Sequence, residues 1–154
     1  MRFAALASSI FVCLGACAGD DSGDDAAVDC STVTGVDTFT VGLEKPGVGG
    51  MLDFKLMSID PAIPTRSFNT WILQVDSMSA GVVGNPIDGA DLVASPFMPA
   101  HQHGPGVDPI ITPTGNPGEY KIEKINLWMP GVWETTMAVT TPSTDRAVYR
   151  FCIN

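Results

Sequence analysis

Short stretches in which apolar and polar residues alternate recur from about residue 37 to the end of the chain. In residues 52–56, for example, three apolar side chains alternate with an aspartate and a lysine. A period of two is typical of a β-strand with one buried face. The pattern predicts seven strands and, after the first seventeen residues, no helix of useful length. The predicted strands are residues 37–43, 52–56, 68–75, 90–94, 120–123, 133–139 and 147–153.

Glycine and proline separate these stretches. The sequence Pro-Gly-Val-Gly-Gly at positions 46–50 predicts a hairpin turn. Six of the twelve prolines fall between Pro96 and Pro117, which excludes a helix interior or a central strand there. Short strands spaced by turn signals predict an all-β fold, an immunoglobulin-like antiparallel β-sandwich of about seven strands. A small β-barrel uses the same pattern and is the alternative.

The N-terminal residues have the pattern of an export signal. Arg2 precedes an uncharged, largely apolar run that ends at Ala16. At about 14 residues, this run is shorter than the ~20 that a membrane-spanning helix needs. The sequence Leu-Gly-Ala-Cys at positions 14–17 resembles the lipobox of bacterial lipoproteins, which implies cleavage before Cys17 and lipidation of its sulfur. An ordinary secretory signal is the alternative.

These features divide the chain into three predicted parts. Residues 1–16 form the lipoprotein signal peptide, residues 17–29 the lipidated cysteine and an acidic tether, and residues 30–154 the globular domain. The tether carries five aspartates and little that can pack. The lipoprotein resemblance implies a lipid-anchored protein of the cell envelope that faces the periplasm. Ala18 after the cysteine favours the outer over the inner membrane, by the sorting rule known for enteric bacteria.

Charge narrows the range of partners. Without residues 1–16, seven Lys and Arg face seventeen Asp and Glu, which gives a formal charge near −10. No run of basic residues is present anywhere in the chain. Because nucleic acid needs clustered basic side chains, we expect it not to be a partner. The partners we expect are the membrane, through the anchor on Cys17, and a metal ion or an envelope protein.

The cysteines are consistent with export. Cys13 leaves with the signal peptide and Cys17 carries the lipid, so that Cys30 and Cys152 remain in the domain. In an oxidising compartment such a pair usually forms a disulfide, and we expect one here. A cysteine-based metal site is the alternative, but the close Cys-x-x-Cys spacing that it requires is missing.

Both histidines lie in one string, Met-Pro-Ala-His-Gln-His-Gly, at positions 98–104. If this proline-rich segment is extended, His101 and His103 point to the same side. Met98 lies in the same segment, and Met129 approaches if the two Met-Pro turns share one end of the sandwich. Two imidazoles with one or two thioethers suit copper, because sulfur prefers Cu(I) and nitrogen suits Cu(II).

Two alternatives to a copper site remain. A zinc site needs a further nitrogen, thiolate or carboxylate ligand, and the closest acid is Asp108. The histidines could instead shape a turn, while Met98 and Met129 fill gaps in the core as methionines often do. Among the aromatic residues, we expect Trp71 and Trp133 in the core and Trp128 at the surface.

Three motifs in the second half of the chain resemble those of one family. They are the Met-Pro-x-His-x-His-Gly string at 98–104, a Gly-x-Tyr strand at 118–120, and a Met-Pro-Gly-x-Trp turn at 129–133. Together they resemble the YtkA-like domain, an exported or membrane-attached bacterial module related to the FixH group. The resemblance implies an immunoglobulin-like sandwich and no established activity.

The residues predict a binding protein, not an enzyme. A Gly-x-Ser-x-Gly nucleophile motif is missing, and the expected disulfide leaves no cysteine nucleophile in the domain. Two hypotheses remain. One is a periplasmic module that holds or transfers copper through Met98, His101, His103 and Met129. The other is a lipid-tethered structural or protein-interaction module without a metal.

Overall fold

The computed structural model describes residues 28–154. The predicted signal peptide, the lipidation site Cys17 and most of the tether therefore lie outside the described residues. The described part contains a single turn of 3-10 helix, Cys30–Thr32, and none of its helices is long and apolar enough to cross a membrane. Its nine strands are β1 (Leu43–Pro46), β2 (Leu52–Asp60), β3 (Phe68–Ser79), β4 (Val82–Pro86), β5 (Leu92–Phe97), β6 (Ile110–Pro113), β7 (Glu119–Asn126), β8 (Gly131–Val139) and β9 (Asp145–Ile153).

The strands form two antiparallel sheets. The larger has the order β1-β2-β3-β7-β6, and β4 pairs with the C-terminal part of β3, beyond the part that pairs with β7. The smaller has the order β5-β8-β9. Neither sheet closes into a barrel, so the predicted sandwich is confirmed and the barrel alternative is wrong.

The core lies between the sheets, where every second side chain of a strand points inward. All five odd-numbered residues of β8, from Gly131 to Val139, are buried, and those between them are half-buried. Trp71 is fully buried and packs edge-on against Tyr149 and Phe151, with ring centroids 6.3 and 5.5 Å apart. Trp133 is also buried, which confirms the core positions predicted for both tryptophans.

The predicted first strand is wrong over most of its length. Residues 37–42 form no strand, and β1 begins only at Leu43. The cause is a long-range contact. The Asp37 N–H donates to the carbonyl of Arg150 at 2.6 Å, and the Asp37 carboxylate accepts from the Arg150 N–H at 2.7 Å. The start of this segment is therefore fixed against β9, and its pairing with β2 begins only at Gly42, whose N–H donates to the carbonyl of Leu56 at 2.8 Å.

Two strands were not predicted, and several others extend beyond their predicted bounds. All side chains of β4 are exposed, and so are three of the four in β6, so neither strand shows an alternating pattern. The strand predicted at 90–94 is β5, which continues to Phe97 and includes Pro96. Because β5 is an edge strand, the missing N–H of this proline interrupts no ladder.

The predicted disulfide between Cys30 and Cys152 is present, with the Cα atoms 5.6 Å apart. Cys152 lies in β9, an edge strand of the smaller sheet. Cys30 begins the 3-10 helix, whose N-cap is Asp29; the Asp29 carboxylate accepts from the Ser31 N–H at 3.0 Å. The bond joins the N-terminal end of the described chain to its last strand.

Two buried aspartates have opposite environments. The Asp145 carboxylate accepts N–H groups from Gly49, Met51 and Leu52 at 2.7–3.0 Å, and also from the residue that follows it. Asp53 is 1% exposed, and neither of its carboxylate oxygens has a hydrogen-bond partner. It faces Asp76 across the β2–β3 pair. Burial raises the pKa of Asp53 to about 6, and the charge of Glu44 contributes.

Candidate functional site

The histidine string forms a tight turn, which corrects the expectation of an extended segment. The Met98 N–H donates to the carbonyl of His103 at 2.9 Å, and the Met98 carbonyl accepts from the N–H groups of His101 and Gln102. Gln102 has a positive φ of 54°, a left-handed conformation that reverses the chain. The turn leaves His101 exposed and His103 half-buried, with their ring centroids 5.9 Å apart.

The two nitrogens of the His103 ring have different neighbours. Nδ1 lies 3.0 Å from the carbonyl oxygen of Gly104. Since a carbonyl oxygen only accepts, we assign the ring proton to Nδ1, which then donates to Gly104. Nε2 then carries a lone pair, and it lies 3.3 Å from the sulfur of Met129. In this tautomer, Nε2 and the sulfur are two neighbouring atoms that each carry a lone pair.

Two indole rings hold the His103 imidazole in place. Trp128 stacks on it with the ring centroids 5.0 Å apart and an interplanar angle of 22°. Trp133 meets it edge-on at 5.7 Å. The Trp133 Nε1–H donates to the carbonyl of Met129 at 3.0 Å, and Arg66 Nε donates to the carbonyl of Trp128 at 3.2 Å. The backbone around Met129 is thus fixed from both sides.

Trp128 is the member of this site that sequence reasoning missed. It is 44% exposed, which confirms the predicted surface position, but its stacking on His103 was not predicted. The sequence does indicate this proximity, because Trp128 stands immediately before Met129, the first residue of the Met-Pro-Gly-x-Trp turn. A side chain adjacent to a candidate ligand in a tight turn lies close to that ligand's partners.

The two methionines have different surroundings. The Met129 sulfur contacts the His103 ring, although the residue is only 6% exposed. Met98 is 1% exposed, and its terminal methyl group packs so closely against Gly131 that a Cβ at that position would collide with it. Of the four ligands predicted, His103 lies against the sulfur of Met129 and beside the ring of His101, while Met98 meets His103 through its backbone and packs in the core.

The surroundings of the imidazole are open on one side. A shallow groove begins at His103 and continues along the proline- and glycine-rich segment towards Asn126. Asn126 fixes this segment, because its Nδ2 donates to the carbonyl of Pro105 at 3.0 Å. The groove gives a ligand access to the His103 ring from solvent. Its lining residues are His103, Gly104, Pro105, Gly106, Val107, Asn126 and Trp128.

The donor set at His103 consists of neutral atoms, an imidazole nitrogen and a thioether sulfur. Within residues 28–154, no group of three or more His, Cys, Asp or Glu side chains is arranged to hold a metal ion. Asp108, the acid nearest in sequence to the histidines, borders a different groove together with residues of β5.

Comparison with known proteins places the chain in a family. The sequence model of the family described as YtkA-like matches residues 49–138, which is more than half of the chain. The chain belongs to the YtkA-like family. The match includes the histidine string and the turn that carries Met129, so the resemblance noted in the sequence is confirmed. Neither the curated proteins nor the solved structures gave a significant match to this YtkA-like chain.

Proposed function

We propose that this YtkA-like domain is a small envelope module that binds a copper ion between His103 and Met129. The observation that carries the proposal is the 3.3 Å separation of His103 Nε2 and Met129 Sδ, two neighbouring atoms that can each donate an electron pair to a metal. With the nitrogen about 2.0 Å and the sulfur about 2.3 Å from a metal, that separation corresponds to an N–metal–S angle of about 100°. A small rearrangement therefore admits an ion.

Copper fits these donors best. A thioether is a soft ligand that hard cations avoid, and imidazole binds late transition metals well. His101 supplies a third ligand, because it is exposed and its ring lies next to that of His103. Met98 remains in the core in this arrangement and is not a ligand. The module binds its ion and catalyses no reaction.

The proposal includes export and lipid anchoring at Cys17. Cys17 lies outside the described residues, so support comes from the signal pattern of residues 1–17. The disulfide adds to it, because such bonds persist in oxidising compartments such as the periplasm. An anchored copper module would exchange its ion with a second protein of the envelope, at the inner face of the outer membrane.

Copper titration of the full chain tests the proposal, with affinity measured by competition against a chromogenic chelator. Thiols bind copper strongly, so Cys13→Ser and Cys17→Ser form the background of every sample. We expect one copper ion per chain, and His103→Ala should weaken binding by about 100-fold or more, because the central ligand is lost. His101→Ala should weaken it less.

His103→Phe is the matched control for His103→Ala. Phenylalanine keeps a flat ring between Trp128 and Trp133 but removes the nitrogen, so the fold should be retained and copper binding lost. If His103→Phe binds copper as tightly as the parent chain, the proposed site is wrong.

A structural or protein-interaction module without a metal is the second candidate, and one observation favours it. The His103 ring packs against two indoles and its Nδ1 holds the Gly104 carbonyl, so the side chain has a role in shaping the loop. This candidate predicts a parent chain that binds no copper above background and a His103→Ala variant that is less stable. The His103→Phe variant would then recover the part of that stability that comes from ring packing, but not the part from the Gly104 hydrogen bond.

A further inference from the structure

We infer that the His103–Met129 site selects the cuprous ion, Cu(I), over the divalent ions Cu(II) and Zn(II). The inference rests on the proposed function and specifies the charge and oxidation state of the ion. Three features of the site carry it: the charge of the donors, their number, and the indole beside them.

The first feature is charge. The imidazole nitrogen of His103 and the thioether of Met129 are both neutral and cannot compensate the charge of an ion. Glu134, the acid of β8 nearest to this end, already pairs with Arg150 at 3.0 Å. Since the cost of burying an ion rises with the square of its charge, a dication pays roughly four times as much as a monocation in the same surroundings. Met129 is 6% exposed, so the sulfur side of the site is shielded from water, while the groove opens the His103 side to solvent.

The second feature is the number and type of donors. Cu(II) prefers nitrogen and oxygen ligands in a square-planar arrangement, and Zn(II) prefers four ligands, from imidazole, thiolate and carboxylate, in a tetrahedral one. The site offers one nitrogen and one sulfur in contact, and a second imidazole whose ring centroid is 5.9 Å from the first. Two or three ligands that include sulfur satisfy Cu(I), a soft ion that thioether ligands favour.

The third feature is the position of Trp128. Its indole lies nearly parallel to the His103 ring, with 5.0 Å between centroids. An ion bound at Nε2 in the plane of the imidazole therefore lies alongside the indole. The face of an indole attracts weakly hydrated cations, and this attraction is most useful to an ion whose charge the ligands leave uncompensated. The same proximity makes the fluorescence of Trp128 a reporter of binding.

Parallel titrations with Cu(I), Cu(II) and Zn(II) test the inference, on the full chain with Cys13→Ser and Cys17→Ser. The Cu(I) titration is anaerobic, and Ag(I) serves as a monovalent soft ion that does not change oxidation state. We expect Cu(I) and Ag(I) to bind about 100-fold more tightly than Zn(II) and more tightly than Cu(II), with quenching of tryptophan fluorescence. Trp128→Phe should remove most of the quenching.

Met129→Leu separates the role of the sulfur from that of the histidine. Leucine has a similar volume, so the fold should persist, and its thermal transition checks that it does. We expect Cu(I) and Ag(I) affinity to fall by about tenfold or more, while Cu(II) affinity changes by less than about twofold. Met51→Leu is the matched control, since Met51 lies half-exposed in the β1–β2 turn and should affect no titration.

The outcomes distinguish the inference from the proposed function. Cu(II) binding that is as tight as Cu(I) binding, or Cu(I) binding that survives Met129→Leu unchanged, overturns the selectivity and leaves a copper site at His103. If the chain binds neither Cu(I) nor Cu(II), the proposed function itself is wrong. Tight Cu(I) binding that depends on both His103 and Met129 supports both.

Discussion

The two ends of the sandwich differ in whether their electron-pair donors accept hydrogen bonds from the chain. Strand β8 marks the ends, because Val139 pairs with Asp145 at one end and Gly131 pairs with Ile153 at the other. At the first end, the Asp145 carboxylate accepts four backbone N–H groups of the chain itself. At the second, the sulfur of Met129 lies against His103 Nε2, which carries a lone pair in the assigned tautomer.

The difference between the two ends indicates which of these groups is available to bind a ligand. Asp145 ties the β1–β2 turn to the start of β9, and its hydrogen-bonding capacity is used within the fold. At the other end, the His103 ring packs between two indoles, and its Nε2 lies against the sulfur of Met129, a second electron-pair donor. A polar group whose partners are all internal stabilises the fold, whereas a pre-positioned pair without a partner is suited to an external cation.

The largest effect that the comparison predicts follows from Asp145→Ala. The variant leaves several N–H groups of the β1–β2 turn without an acceptor in a largely buried place, so the free energy of unfolding should fall by about 3–5 kcal/mol. Chemical denaturation at neutral pH measures the loss. Asp91→Ala is the control, because its carboxylate accepts from Thr140 at an exposed position and should cost less than about 1 kcal/mol.

Copper binding by the Asp145→Ala variant tests whether the two ends of the sandwich are independent. A folded Asp145→Ala chain should bind copper as the parent does, since the substitution lies at the opposite end from His103. A loss of less than 1 kcal/mol in the unfolding free energy would show that the Asp145 hydrogen bonds contribute little, and the comparison would lose its basis.

A smaller effect follows from Asp53, a buried carboxylate at the Asp145 end that lacks such donors. Burial alone would raise the pKa of Asp145, but the backbone N–H groups outweigh it and hold the pKa below its ordinary value. The contribution of Asp145 to stability is therefore present above the unfolded pKa and is lost as the pH falls through the folded pKa. The pKa of Asp53 is raised from 3.8 to about 6, so the pH dependence of its contribution to stability has the opposite sign.

Between pH 3.8 and about 6 the folded chain holds more protons on Asp53 than the unfolded chain does, so stability should decrease as the pH rises through this window. Asp53→Asn removes the titration. It should stabilise the protein at pH 7.5 by up to about 3 kcal/mol, and by less at pH 4. Thermal unfolding of both chains from pH 4 to 8 measures it, and equal stability gain at every pH would contradict the assigned titration.

The smallest effect is expected at the other end, from Trp128→Phe. Phenylalanine preserves a stacked ring on His103, and Trp128 is partly exposed, so the unfolding free energy should change by less than about 0.5 kcal/mol. Affinity for Ag(I) should fall only about two- to fivefold, because the weaker aromatic face costs about 0.5–1 kcal/mol. A loss as large as that of Met129→Leu would mean that Trp128, and not the sulfur, dominates binding.

Alternation predicted the strands whose two faces differ, and these form most of the sandwich. In β2, β3, β8 and β9, one face packs in the core, so the period of two is visible in the sequence. In β4 and β6 nearly every side chain is exposed, and their pairing depends on neighbours that the sequence does not mark. The start of β1 was misplaced because Asp37 bonds to Arg150, which is 113 residues away in the chain.

The candidate site was predicted in its parts but not in its geometry. His103 and Met129 could be predicted as ligands from their residue types. The tight turn that positions His103 depends instead on the left-handed Gln102 and on the bridge between Met98 and His103. Neither follows from residue type, since glutamine rarely adopts that conformation. The roles of Met98 as a core residue and of Trp128 as a stacking partner depend on the position of β8 relative to the turn.

The bond between Cys30 and Cys152 changes the covalent topology of the molecule. The chain from one cysteine to the other is a closed ring with a sequence separation of 122, and the preceding residues and the last two branch from one place on it. A single cut in any loop of the ring therefore opens it without releasing a fragment. Moreover, Cys152 pairs with Val132, next to Gly131, so the N-terminal branch leaves the ring at the end that carries His103. A tether on that branch would keep this end closest to the point of attachment.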